Sequence, residues 1–246
     1  MSTADLLSVR NLHKKYGAVT ALRNVSFTVR KGEVTALLGD NGAGKSTTIK
    51  AISGAAPADS GNIILEGQEV SLRRPADANA LGIQTVYQDL ALCDNLGICA
   101  NLFLGRERVL WPFGILRDVD MEAEALRVLK TLRVNLPSLD THVSSLSGGQ
   151  RQAVAIARAV LWGTKLVIMD EPTAALGLRE RAAVETLIGN LRREGIAQLI
   201  ISHDLEQVMR ISDSIWVMRG GRTIANWRTK DIDRTSVVGA IAGGTA

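Results

Sequence analysis

The sequence predicts an α/β layer on a mainly parallel sheet, interrupted by a helical insertion. Two runs predict the sheet. "LVIMD" from Leu166 and "QLIIS" from Gln198 are apolar throughout and rich in branched residues, as strands covered on both faces tend to be. The insertion is predicted by the stretch from about Leu90 to Leu161. Within it "MEAEALRVLKTLRV" sets Ala123, Leu126, Leu129, Leu132 and Val134 near helical spacing, with charges between them. Strand-like segments lie on both sides of this stretch, so the helices interrupt one layered unit.

Taken in order, "LLSVRNL" opens the chain as a strand, and "NVSFTVR" follows with Val25, Phe27 and Val29 alternating. "EVTALLG" is a third strand. "GNIILEGQEV" reads as a hairpin turning at Gly67, and "SIWVMR" from Ser214 adds a later strand. No repeat or low-complexity linker divides the chain.

The 246 residues suffice for one large domain or one domain with an inserted subdomain. With 46% hydrophobic and 22% charged residues the composition is that of a soluble globular protein. The net charge of +4 is scattered in short pairs such as Lys14-Lys15, Arg73-Arg74 and Arg192-Arg193, which leaves no stripe for nucleic acid. "MSTADLLSVR" lacks the basic start and apolar core of a secretory signal. No run approaches the ~18 apolar residues of a membrane span. A cytosolic chain is expected. Cys93 and Cys99 have no histidine nearby in sequence and read as ordinary reduced thiols.

Chemistry enters with "GDNGAGKST", Gly39 to Thr47, which fits G-x-x-x-x-G-K-[ST] between an apolar strand and a helix. Its residues are Gly39, Asp40, Asn41, Gly42, Ala43, Gly44, Lys45, Ser46 and Thr47. The glycines let backbone N–H groups converge on a phosphate chain, and the helix start adds its positive dipole. Lys45 is placed to reach the β and γ phosphates of a nucleotide, and Ser46 to offer a hydroxyl to Mg²⁺. The strand from Leu166 ends in Asp170 and Glu171. Asp170 is expected on the metal side, and Glu171 is expected to polarise a water toward the γ phosphate. In "LSGGQRQAVAIARAV", Ser147 and Gln150 form a capping box, and Ala153, Ile156, Ala157 and Val160 form an apolar face. Gly148 and Gly149 leave that helix start open to phosphate.

Together these motifs closely resemble the nucleotide-binding subunits of ABC transporters, over nearly the whole chain. "GDNGAGKST" resembles their Walker A loop, "LSGGQ" their signature and "LVIMDEP" their Walker B strand. "VYQ" with Gln88 is similar to the Q-loop, "ISHD" with His203 to the switch histidine, and "KKYGAVTAL" with Tyr16 to the aromatic A-loop. The resemblance implies a P-loop NTPase cassette with an antiparallel β subdomain and an inserted helical subdomain. One domain would span 1–246, its core about 1–88 and 164–246 and its helical part about 89–163.

It further implies that Tyr16 stacks on adenine, that Gln88 coordinates Mg²⁺ and senses the water, and that His203 contacts the γ phosphate. Ser147, Gly148, Gly149 and Gln150 would close over ATP held by a second cassette, so a homodimer or a pair with a homologue is expected. His13 and His142 read as surface groups. "GDNGAGKST", "NLFLGRE" and "EPTAALG" look like importers of simple sugars. That implies transmembrane permease subunits and, indirectly, a periplasmic or extracellular sugar-binding protein, with the chain peripheral at the cytoplasmic face of the inner membrane. Two other readings stay open, a soluble ABC ATPase acting on ribosomes or DNA and an ABC exporter subunit.

Two expectations are local. The segment Gln88 to Asn101, with Leu90, Leu92 and Leu96, is read as the wall of a permease groove. The insertion tip with Trp111, Pro112 and Phe113 either packs back on its own helices or borders that groove. After Walker B most of the family carries an aspartate; here Gly177 occupies that place.

Overall fold

A computed structural model describes residues 5–110 and 112–243; residues 1–4, Trp111 and 244–246 lie outside the described residues. The chain opens with a long hairpin, β1 (Asp5–Tyr16) and β2 (Val19–Arg30), whose Leu7, Val9, Val25, Phe27 and Val29 are buried. β3 (Val34–Leu38), buried at every position, feeds through a glycine-rich loop into α1 (Lys45–Ile52). β4 (Ser60–Leu65) turns into β5 (Gln68–Val70) at Glu66 and Gly67, where φ is 50° and 83°. Two successive positive φ values make a type I′ turn, the hairpin expected at Gly67.

α2 (Pro75–Ala80) and β6 (Ile83–Val86) precede the helical part: α3 (Ile98–Phe103), the short strands β7 (Val109–Leu110) and β8 (Ile115–Leu116), α4 (Asp118–Thr131) and α5 (Gly148–Val160). The chain then returns through β9 (Leu166–Asp170), α6 (Leu178–Arg193), β10 (Ala197–Ile201), α7 (Leu205–Ile211), β11 (Ser214–Arg219), β12 (Arg222–Arg228) and α8 (Arg234–Ala242).

Two sheets follow from these strands. The larger has the order β12-β11-β3-β10-β9-β6 and is parallel except for β12. The smaller, β2-β1-β4-β5, is antiparallel. The unbroken apolar run of β9 has a direct cause. Leu166 and Ile168 face the core shared with the antiparallel sheet, while Val167 and Met169 face the core shared with the helices. A strand with two dry faces has no polar face to alternate with. Phe27 of β2 meets Trp216 of β11 edge to face at 6.2 Å, joining the two sheets.

Two local expectations are corrected. The buried face of α4 is Met121, Ala125, Val128 and Leu129, continued by Leu132. Leu129 and Leu132 are buried and Val134 packs against the same core as expected, but Ala123 is exposed and Leu126 is 57% exposed, so Met121, Ala125 and Val128 take their places on the buried face. The spacing from Met121 keeps i, i+4, i+7, i+8, and the charges on Glu122 and Arg127 point outward with Leu126. At the insertion tip, Pro112 and Phe113 do not pack back on the helices. Phe113 is 73% exposed, and Val109, Leu110, Ile115 and Leu116 are exposed along the β7–β8 ribbon. Gly114, at φ 67°, turns that ribbon, and a chain so short has only its own two strands to cover it. Trp111 lies outside the described residues.

Replacing Phe27 by Ala removes the aromatic contact between the sheets and leaves a cavity. Urea denaturation of the variant is expected to give a stability loss of about 3–5 kcal/mol; a loss under about 1 kcal/mol contradicts this role of Phe27.

Candidate active site

Parallel pairing sets the location of the site. Ile201 at the end of β10 is in register with Leu37 of β3 on one side and Asp170 of β9 on the other. Three carboxyl-terminal strand ends therefore lie level, and the loops after them meet where open α/β sheets hold ligands. The cleft they form, about 470 Å³, is lined among others by Lys45, Ser46, Thr47, Gln88, Asp170 and Glu171. A second space of about 450 Å³ shares Asn41, Gln88 and Glu171 with it and adds Gly39, Asp40 and His203.

The loop before α1 is held from behind by the β11–β12 turn. Gly221 N–H donates to the Ala43 carbonyl at 3.0 Å, and Arg23 N–H donates to the Gly221 carbonyl at 2.7 Å. A Cβ on Gly39 would stand 2.2 Å from the Met218 carbonyl oxygen, and one on Gly44 would stand 2.9 Å from that of Ala21. Glycine is required at both because backbone lies directly behind them. The Lys45 ammonium folds back to donate to the carbonyls of Gly39 (2.6 Å) and Asp40 (2.9 Å), bonds that a phosphate can take over. Burial pushes Lys45 below the usual lysine value, although Glu171, Asp170 and Asp40 pull it up.

Asp170 and Glu171 leave β9 in different directions. Glu171 has φ 52°, and its N–H donates to the Ile201 carbonyl at 2.9 Å. Its carboxylate reaches Nδ1 of His203 at 2.7–2.8 Å, so the loop after β10 places the imidazole on it. Burial first and the adjacent Glu171 second push Asp170 above the usual carboxylate range, while Lys45 and Lys50 pull it down. A cation beside Asp170 would relieve this. No group of three or more His, Cys, Asp or Glu side chains among the described residues is placed to hold a metal unaided. Ser46, Gln88 and Asp170 offer one hydroxyl, one amide and one carboxylate on one cleft, a donor set that fits a hard cation arriving on phosphate oxygens.

Tyr16 is 47% exposed at the end of β1, in register with Val19, which lines the cleft. The Lys14 ammonium lies 5.6 Å from its ring. Ser147, Gly149 and Gln150 are not brought to Lys45. They border a separate cleft of about 410 Å³ with Arg179 and Glu180, and Gly148 sits beside them at the start of α5. The capping box is present: Gln150 N–H donates to Ser147 Oγ at 3.3 Å and Ser147 N–H to Gln150 Oε1 at 3.0 Å. His142 is exposed and His13 half-buried in β1. Leu90 and Leu92 pack against the helical core, whereas Leu96 borders a cleft with Glu107, Asp118, Glu122 and Asp140 around it. Burial, then Glu122, Asp118 and Asp140, pushes the Cys99 thiol up to about 11, that of an unreactive thiol.

The ABC transporter family model matches residues 22–174, from β2 through the loop after β9. The chain belongs to the ABC transporter family. It is 48% identical to the xylose/arabinose import ATP-binding protein XylG of Sulfolobus acidocaldarius over 90% of this chain and 87% of that one. It is 45% identical to the fructose import ATP-binding protein FrcA of Rhizobium meliloti over 99% of this chain and 96% of that one. Among solved structures, the ADP conformation of MJ1267, an ATP-binding cassette of an ABC transporter, superposes with a TM-score of 0.82 at 29% identity, covering 98% and 96% of the two chains.

Within this ABC cassette the structure brings in residues that motif reading did not single out. The Glu180 carboxylate accepts the N–H of Gly177 at 3.2 Å, and bonds from the Ser147 hydroxyl and the Gly149 and Gly148 N–H groups also hold its pKa low. Its sequence signal was a glutamate three residues after the start of a helix, the second half of a capping box. Gly148 and Gly149 admit this contact: Cβ atoms there would stand 2.8 Å from Leu176 Cδ2 and 3.0 Å from Glu180 Cβ. Gly177 has φ −68°, an ordinary value, and a Cβ on it meets only Glu180 Oε2 at 3.9 Å. Buried Gln207 accepts from Thr173 (3.0 Å) and Ser202 (3.3 Å), tying the loop after β9 to the His203 loop.

Gly39→Ala forces the loop away from Met218. The variant is expected to bind a fluorescent ATP analogue at least roughly tenfold more weakly, about 1.4 kcal/mol; unchanged binding removes the loop conformation from the site.

Proposed function

We propose that this chain binds and hydrolyses ATP to energise a membrane importer of monosaccharides of the xylose, fructose or ribose type. The observation that carries the reading is the single cleft shared by Lys45, Ser46, Gln88, Asp170 and Glu171, with His203 held on Glu171. The sugar assignment rests on the likeness to sugar import ATP-binding proteins over nearly the full length of both partners. One cassette domain spans 1–246, its core about 1–88 and 164–246 and its helical part about 89–163.

In this reading the N–H groups of Gly39 to Thr47 and the Lys45 ammonium bind the phosphates, and Tyr16 stacks on adenine. Ser46, Gln88 and Asp170 would hold Mg²⁺. When bound, the cation neutralises phosphate charge and aligns the transferring group. Glu171 orients a water and takes its proton as the oxygen attacks the γ phosphorus; the bond to the β-phosphate oxygen breaks and leaves ADP. His203 keeps Glu171 in place and donates toward the γ phosphate.

A second copy supplies Ser147, Gly148, Gly149 and Gln150 over that phosphate. In the single chain the Glu180 carboxylate fills the cradle these groups make, as an anion of the chain's own. ATP on the opposite copy therefore has to displace Glu180 before two cassettes close, and hydrolysis lets Glu180 return. Permease subunits in the membrane are the direct partners and a sugar-binding protein outside is the indirect one. The chain sits peripherally at the cytoplasmic face of the inner membrane and takes no nucleic acid. Among the described residues no helix is long and apolar enough to cross a membrane.

Copurification of the chain with its native membrane subunit and a sugar-binding protein separates import from export; export predicts a membrane subunit without the binding protein. Glu171→Gln is expected to bind ATP, to hydrolyse it roughly 100- to 1,000-fold more slowly and to run as an ATP-bound dimer in size-exclusion chromatography. Turnover at the normal rate removes Glu171 from the role of base. In that background, adding Glu180→Ala is expected to lower the ATP concentration at which the dimer forms.

A further inference from the structure

We infer that the β7–β8 ribbon inserts its apolar tip into the lipid surface of the membrane, at the boundary between headgroups and acyl chains. The inference rests on the importer reading, which brings the chain to a membrane, and adds a contact there that is made with lipid.

In sequence the ribbon is one uncharged run, "VLWPFGIL" from Val109 to Leu116, with Arg108 before it and Arg117 after it. In the fold Val109 pairs with Leu116 and Leu110 with Ile115. Successive strand residues point to opposite faces, so one face carries Val109 and Leu116 and the other carries Leu110 and Ile115. All four are exposed, as is Phe113 at the turn, and none of the five belongs to a buried core. A groove on a protein covers one face of a ribbon. Apolar side chains on both faces and at the tip fit a medium that surrounds the ribbon.

The base of the ribbon matches the outer part of a lipid surface. Arg117 N–H donates to the Arg108 carbonyl at 2.9 Å, so the two arginines stand side by side across the ribbon. Both are exposed and each is paired with an acid of α4, Arg108 with Glu124 and Arg117 with Asp120. Exposed ion pairs contribute little, so lipid phosphates can take over the guanidinium groups while the arginine stems stay against the acyl chains. At ~3.3 Å per residue the three steps from Val109 to the turn span about 10 Å, the depth of an interfacial segment. Headgroup water still reaches the unpaired backbone groups of a two-stranded ribbon at that depth, whereas the hydrocarbon core would leave them unsatisfied. The direction is consistent as well. Leu116 and Leu104 border the same cleft as Leu96 and Cys99, which lie in the segment read as facing the permease.

The test is flotation of the full chain on a density gradient with vesicles of phosphatidylcholine and phosphatidylglycerol in equal parts, wild type against Val109→Asp, Leu110→Asp and Phe113→Asp. Wild type is expected to float and each variant to bind roughly tenfold or more weakly, the two strand variants alike because both faces meet lipid. The three side chains are exposed, so melting temperature and basal ATPase rate are expected to match wild type. Leu110→Trp, which keeps an apolar side chain suited to the interface, is expected to float as wild type does. If wild type does not float, or if the three aspartate variants float as it does, the inference is wrong while the importer reading stands. If Leu110→Asp and Val109→Asp differ, and the weaker one also loses affinity for the detergent-solubilised membrane subunit, a protein groove covers the ribbon and the inference is overturned. A wild-type chain that is dimeric without ATP, and monomeric as Phe113→Asp, overturns it in favour of a second copy. If the flotation results are as expected but no membrane subunit copurifies, the importer reading fails and the lipid contact stands.

Discussion

Ile201 pairs with Leu37 on one side and Asp170 on the other, and its carbonyl accepts the Glu171 N–H. That register is the constraint on which the rest depends. It levels the ends of three buried strands, so the phosphate loop, the acidic pair and the histidine loop open into one space. It also fixes Glu171 in the left-handed region, which turns its carboxylate away from Asp170 toward His203. A slip of one residue would put Val167 and Met169 in the other core and reverse every side chain of β9. The burial of both faces forbids it.

Electrostatics then decides what the space can hold. Asp170 and Glu171 stand together against Lys45, which burial weakens as a cation. The site is therefore short of positive charge on the metal side and short of negative charge along the loop, where backbone N–H groups and the α1 dipole converge. A nucleotide carrying a divalent cation corrects both deficits in one binding event. Neither component alone does so, and among the described residues no group of three or more His, Cys, Asp or Glu side chains is placed to hold a metal.

Much of this was legible in the sequence, because the signals are local. Gly39 and Gly44 are set by contacts that any side chain would violate, Asp170 and Glu171 by the end of an apolar strand, and Ser147 with Gln150 by a capping box. Legibility failed where packing had to choose. On α4 two apolar stripes compete, and only the surrounding helices select Met121, Ala125 and Val128 over Ala123 and Leu126. The exposed β7–β8 ribbon has too few residues for a strand pattern. Gln84 and Arg158 are distant in sequence, and their shared pocket exists only after β6 and α5 meet.

Glu180 shows how a local rule and a distant one use the same atoms. A glutamate three residues into α6 belongs there to cap its own helix, and the Gly177 N–H takes that bond. The same carboxylate also lies against the start of α5, because Gly148 and Gly149 let the two helix ends approach. Gly177, where much of the family carries an aspartate, adds no second negative charge at this junction. An aspartate there would have room, since φ is −68°, but it would face Glu180 across the one cradle both helix starts share. The glycine thus leaves a single carboxylate against two helix starts.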